Sequence, residues 1–123
     1  MNKQEILDSI EKKEYSKAKG LINKFLEENP DDLEVKKLLG LCEINLELFD
    51  DAQKTFEQVI EQNKEDALSL YYLATIYINK QKYKESEELL KNVIKLRENY
   101  LDAYKALIAV YINLKEFDKL KEI

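Results

Sequence analysis

Between residues 67 and 80 the apolar positions Leu70, Leu73, Ala74 and Tyr77 recur at intervals of three, one and three, the spacing of one stripe on a helix. Residues 84–96 carry a second stripe, Ser86, Leu89, Leu90, Val93 and Ile94. Only Gln81, Lys82 and Tyr83 lie between them, so the two predicted helices must fold back antiparallel. Shifted by 34 residues, the chain matches itself. An aromatic stands at Tyr15, Phe49, Tyr83 and Phe117, and an isoleucine at Ile10, Ile44, Ile78 and Ile112. Leu39, Leu73 and Leu107 form a further ladder, as do Phe25, Val59 and Val93, and Leu26, Ile60 and Ile94. Asn45, Asn79 and Asn113 form a polar ladder directly after three of the isoleucines. Agreement of so many registers at one period predicts a single domain over 1–123, built from helical hairpins at about 1–32, 33–66, 67–100 and a partial 101–123. Ser16, Asp50 and Asp118 follow the ladder aromatics and are expected to cap the second helices, a role Lys84 cannot fill; Asp31 or Asp32 is expected to start the next first helix.

Composition narrows this to an all-α fold. Two glycines and one proline in 123 residues leave little for hairpin turns, and no Asn-Gly or Asp-Gly pair occurs. Twenty-five acids against twenty bases give a net charge of −5, which argues against nucleic acid as a partner, since that needs a concentrated basic surface. No stretch approaches a membrane span and the first residues lack a signal-peptide core, so no membrane insertion and a cytoplasmic location are expected. The single cysteine, Cys42, sits in an apolar run and reads as a small buried side chain. Without histidine, a Gly-rich phosphate loop or metal-spaced cysteines, the chain offers no catalytic residues, metal ligands or cofactor site; it is not expected to be an enzyme.

The period and its residues resemble the tetratricopeptide repeat. Residues 33–66 supply Leu39-Gly40 and Ala52-x3-Phe56 of that pattern; 67–100 supply Leu70, Leu73-Ala74 and Tyr77; 101–123 supply Tyr104, Leu107 and Tyr111; the first copy supplies Ala18, Ile22 and Pro30. Ser86 and Leu90 replace the family's Ala and Phe, Glu43 stands where it has Tyr, and Lys64 and Glu98 replace the terminal proline. At the turn between helices, where the family has Gly, stand Lys13, Glu47, Gln81 and Lys115. A left-handed conformation there costs about 1 kcal/mol per residue.

The resemblance implies a right-handed superhelical array, about seven helices and a short terminal turn, whose concave wall is made by the first helix of each pair. Such a wall would take a peptide or helical segment of another protein. Its face carries Lys37, Leu41 and Asn45; then Leu68, Tyr71, Thr75 and Asn79, with Tyr72 at the edge; then Asp102, Lys105, Ala109 and Asn113. Of these, Tyr71 and Tyr72 are the leading anchors, because adjacent tyrosines cannot both face one core. The isoleucine ladder is expected to serve packing between repeats. The asparagine ladder either grips a ligand backbone or satisfies helix-end carbonyls. The second helices, rich in Lys and Glu, are expected to form a solvated outer face.

Chaperone adaptors of this family grip a C-terminal carboxylate with Lys, Asn and Arg from three successive repeats. That pattern falls on Lys3, Leu7, Leu38, Leu68 and Tyr72, or one copy later on Lys37, Leu41, Tyr72, Asp102 and Ala106. Only the first lysine matches in either register, so a chaperone-tail clamp is not expected. The last second helix stops at Ile123, after about one turn. Either the chain is a piece of a longer protein, the favoured expectation, or its uncapped end stacks on another copy in a homodimer.

Overall fold

The computed structural model describes residues 2–123. They form α1 (Lys3–Glu11), α2 (Tyr15–Glu28), α3 (Leu33–Asn45), α4 (Phe49–Gln62), α5 (Ala67–Asn79), α6 (Tyr83–Leu96), α7 (Leu101–Leu114) and a one-turn α8 (Phe117–Leu120), with no strand among the described residues. The chain divides into two compact units, 1–62 and 63–123.

In the first unit α1 pairs with α2, α3 with α4, and α2 packs on α3. Ile6, Ala18, Ile22, Val35 and Cys42 are buried together, with Ile10, Phe25, Leu26 and Leu39 packed around them. The Leu39-Gly40 and Ala52-x3-Phe56 fragments meet here. A Cβ on Gly40 would come within 2.5 Å of the Phe56 ring, so only glycine lets the fully buried ring of α4 lie against α3.

In the second unit α5 pairs with α6, α6 with α7, and α7 with α8, while α5 also touches α7. The core is Leu70, Leu73, Ala74, Ile76, Leu90, Val93, Ala103, Leu107, Val110 and Tyr111. The stripe read on α5 was too narrow. Ile76 is fully buried and Tyr77 only half-buried, because α5 touches two helices and so buries more than one face.

Every tight turn has the same geometry. Lys13, Glu47, Gln81 and Lys115 have φ of 61°, 61°, 62° and 59°. Each donates its N–H to the carbonyl of the ladder isoleucine three residues back, at 2.9 to 3.1 Å. The next residue donates to the carbonyl five back, as Leu48 does to Glu43 at 2.8 Å. This is the paired closure that satisfies the last carbonyls of a helix and requires a left-handed residue. It explains why the family favours glycine there, and why four non-glycine residues store strain in this chain.

Two expectations are corrected. Ser16, Asp50 and Asp118 lie inside the first turns, because the second helices already begin at the ladder aromatics. The residues before three of those aromatics, Glu14, Lys82 and Glu116, make no side-chain cap. Asp32 does cap α3, accepting from the Val35 N–H at 3.1 Å, and Asp66 caps α5 through the Ser69 N–H at 3.2 Å. The second helices are also not uniformly solvated. Glu87 is only 5% exposed, bonded to Lys91 at 3.2 Å and to Lys119 of α8 at 3.1 Å.

Candidate functional site

The residues expected to line a binding face fall on three first helices. On α3, in the first unit, the half-buried Lys37 is ion-paired with Glu34 at 3.1 Å. Asn45 donates its side-chain amide to the Leu41 carbonyl at 2.8 Å, and Asn113 on α7 does the same to Ala109 at 2.8 Å. In these two rungs the amide bonds a carbonyl one turn back inside its own helix, while the last carbonyls of the helix are closed by N–H groups of the turn. The isoleucine ladder is half-buried at Ile10, Ile44 and Ile78, whereas Ile112 is 51% exposed.

The second unit brings more together. Leu68, Tyr71, Tyr72 and Thr75 of α5 are half-buried and Asn79 is exposed; on α7, Asp102, Lys105, Ala109 and Asn113 are exposed. The Thr75 hydroxyl donates to the Tyr72 carbonyl at 2.7 Å. The rings of Tyr71 and Tyr72 meet edge-on, with centroids 5.4 Å apart and planes 66° apart. Tyr71 also faces Tyr100, 5.3 Å away at 41°. Burial raises all three phenols above the usual tyrosine range, and the negative charge of Asp102 adds to the shift in each; for Tyr100, the other two tyrosines and Asp66 contribute as well.

Tyr100 was missed by the sequence reading, although a signal was present. Positions 32, 66 and 100 are one rung of the 34-residue ladder, holding Asp32, Asp66 and Tyr100. The first two cap α3 and α5, whereas Tyr100 precedes α7 without a side-chain cap bond. An aromatic that displaces a stabilising cap, worth about 1 kcal/mol, marks a position put to another use.

A buried polar network sits in the first unit. Glu43 is 4% exposed, accepts from the Thr55 hydroxyl at 2.6 Å and lies 3.7 Å from the Lys19 ammonium. Its replacement of the family's Tyr therefore leaves no unpaired charge in the core. Burial holds its carboxyl above the usual range, against the opposing pull of Thr55 and Lys19.

The tetratricopeptide repeat model matches residues 9–70, and a second model of the same repeat matches 55–88. The chain belongs to the tetratricopeptide repeat family. A search of curated proteins found no match. Among solved structures, the fold is similar to a crystal structure of MamA, with TM-score 0.85 and 24% identity over 94% of this chain and 67% of that one. It is also similar to MamA 41-end from Desulfovibrio magneticus RS-1, with TM-score 0.89 and 16% identity over 97% and 67%. A third is the first repeat domain of Spaghetti (RPAP3) bound to the HSP90 peptide SRMEEVD, with TM-score 0.87 and 16% identity over 92% and 90%. The chain thus spans about two thirds of the length of those MamA chains. The shared fold is that of tetratricopeptide repeats, and among the described residues no helix is long and apolar enough to cross a membrane.

Proposed function

We propose that this chain is a non-catalytic module that captures a peptide or helical segment of another protein, with the α5–α7 face of its second unit as the anchoring surface. The observation carrying this reading is the Tyr71–Tyr72–Tyr100 cluster. Three half-buried aromatics converge there, and each can add stacking or apolar contact at small entropic cost. Leu68, Thr75 and Asn79 continue that face along α5, and Lys105, Ala109 and Asn113 along α7. Lys37, Leu41 and Asn45 are proposed as contacts of the first unit.

The guest differs in kind from the acidic peptide held by the RPAP3 domain. Of the two lysines that could begin a carboxylate clamp, Lys3 is paired with Asp32 at 2.9 Å and Lys37 with Glu34. The remaining clamp positions are apolar, aromatic or acidic. Support for the reading comes from affinity capture with the Tyr71→Ala, Tyr72→Ala double variant from the protein's own cell extract. Loss of the captured partner, with helicity and sedimentation unchanged, is the expected result. An unchanged partner set sinks the proposal.

A second reading is self-assembly through the C-terminal end. A groove of about 370 Å³ is lined there by Ile94, Tyr104, Leu107, Tyr111 and Ile123, together with the charged Lys91, Lys119 and Glu122. Nearby on α7 and α8, Ile112 and Phe117 are 51% and 57% exposed. Ile112→Glu with Phe117→Glu places charges on exposed positions and should shift a sedimenting dimer to monomer; a wild-type chain that sediments as a monomer at high concentration removes this reading.

A further inference from the structure

The tyrosine cluster also carries information about the charge of its guest, an inference that rests on the α5–α7 face being the anchoring surface. Rings inclined at 66° and 41° do not close into a stack, so their faces point in different directions around one corner. The face of an aromatic ring is the negative part of its quadrupole. Two acidic side chains act on these rings. Asp102 acts on all three and Asp66 on Tyr100. Asp102 is exposed, and among the described residues it has no ion-pair partner. Two basic residues lie close in sequence: Lys105, one turn along α7, and Arg97, three residues before Tyr100.

We propose that Tyr71, Tyr72 and Tyr100, with Asp102 at the rim, form a cation-accepting corner that takes an arginine or lysine side chain from the partner segment. Ring faces and an unpaired carboxylate are complementary to a guanidinium or ammonium group and repel a carboxylate. Burial is the main reason the three phenols titrate high, and the Asp102 carboxylate adds a smaller upward push to each. Affinity comes from ring faces and a rim charge together, so removing one ring should weaken binding about threefold. Asp102 supplies the salt-sensitive part.

The test uses the full chain and heptapeptides of sequence Ala-Leu-Ala-Xaa-Ala-Leu-Ala, blocked at both ends, with Xaa arginine, lysine, glutamine or glutamate. Binding is followed by NMR of the labelled tyrosine rings. The arginine and lysine peptides should give saturable shifts at Tyr71, Tyr72 and Tyr100 and bind at least about threefold tighter than the glutamine peptide, with glutamate weakest. Asp102→Asn should reduce the preference for arginine over glutamine about threefold while leaving the glutamine peptide unchanged. Tyr100→Leu, which keeps an apolar side chain, should weaken the arginine and lysine peptides more than the glutamine peptide. Equal or tighter binding of the glutamine or glutamate peptide overturns the proposal, as does an arginine peptide that leaves the three rings unshifted. If Tyr71→Ala with Tyr72→Ala still abolishes partner capture while no basic preference is seen, the anchoring face stands and the cation assignment falls. If capture is also unaffected, both fall.

Discussion

Lys12 and Lys13 allow the strain in the interhelical turns to be measured with almost no confounding chemistry. Both are exposed lysines at the end of α1. Lys12 has φ −81° and ψ 1°, an ordinary right-handed conformation, whereas Lys13 has φ 61°. Replacing either by glycine makes the same change in composition at adjacent positions, so the unfolded chains are nearly equivalent. At Lys13, glycine removes a left-handed penalty of about 1 kcal/mol, and its extra unfolded-state entropy offsets part of that gain. At Lys12, glycine removes no strain and costs about 0.5–1 kcal/mol of backbone entropy. The entropic terms cancel between the variants, leaving Lys13→Gly more stable than Lys12→Gly by about 1 kcal/mol. With a urea slope of about 2 kcal/mol/M, the midpoints should differ by roughly 0.5 M in unfolding followed by far-UV circular dichroism. Equal midpoints, or a more stable Lys12→Gly, would refute the strain argument. A positive result extends to Glu47, Gln81 and Lys115, whose separate turns should contribute additively.

The two glycines should respond in opposite ways to alanine. Gly20→Ala adds a methyl where nothing lies within 4 Å on an exposed helix and should stabilise by about 0.5–1 kcal/mol, whereas Gly40→Ala drives a Cβ into the Phe56 ring and should cost about 1–3 kcal/mol in thermal or urea unfolding. Glu43 binds its proton more tightly folded than unfolded, so its contribution to stability is present at acid pH and is lost as pH rises through its raised folded pKa. Glu43→Gln, which keeps an acceptor for Thr55, should match the parent at acid pH and exceed it at neutral pH; a constant deficit at every pH would show instead that the Lys19 pairing dominates. Burial pushes the Cys42 thiol up to about 11, with Glu43 adding to the shift, so a disulfide reagent at pH 8 should label the native chain at least about a hundredfold more slowly than the unfolded chain.

The sequence alone determined the helical hairpin, its 34-residue period and the positions of the turns, because these follow from local spacing repeated along the chain. It also marked Lys13, Glu47, Gln81 and Lys115 as the costly positions, since a tight helix–helix turn restricts one residue whatever surrounds it. The burial of Cys42 was legible from its apolar neighbours, and Tyr71 and Tyr72 stood out as two aromatics that one core cannot absorb. The partners across helices could not be read. Glu43 meets Thr55 twelve residues on, Lys119 reaches Glu87 thirty-two residues back, and Tyr100 closes on Tyr71 across a hairpin. In a one-dimensional pattern Glu43 and Glu87 look like solvent-facing charges; only packing shows that they are buried and what satisfies them. Likewise, Tyr100 is simply the residue before a helix until α7 packs beside α5 and α6 and brings its ring against Tyr71. Periodicity sets which face of a helix is apolar. Which distant side chains meet on that face depends on how the helices pack, and that is where the character of the proposed site was decided.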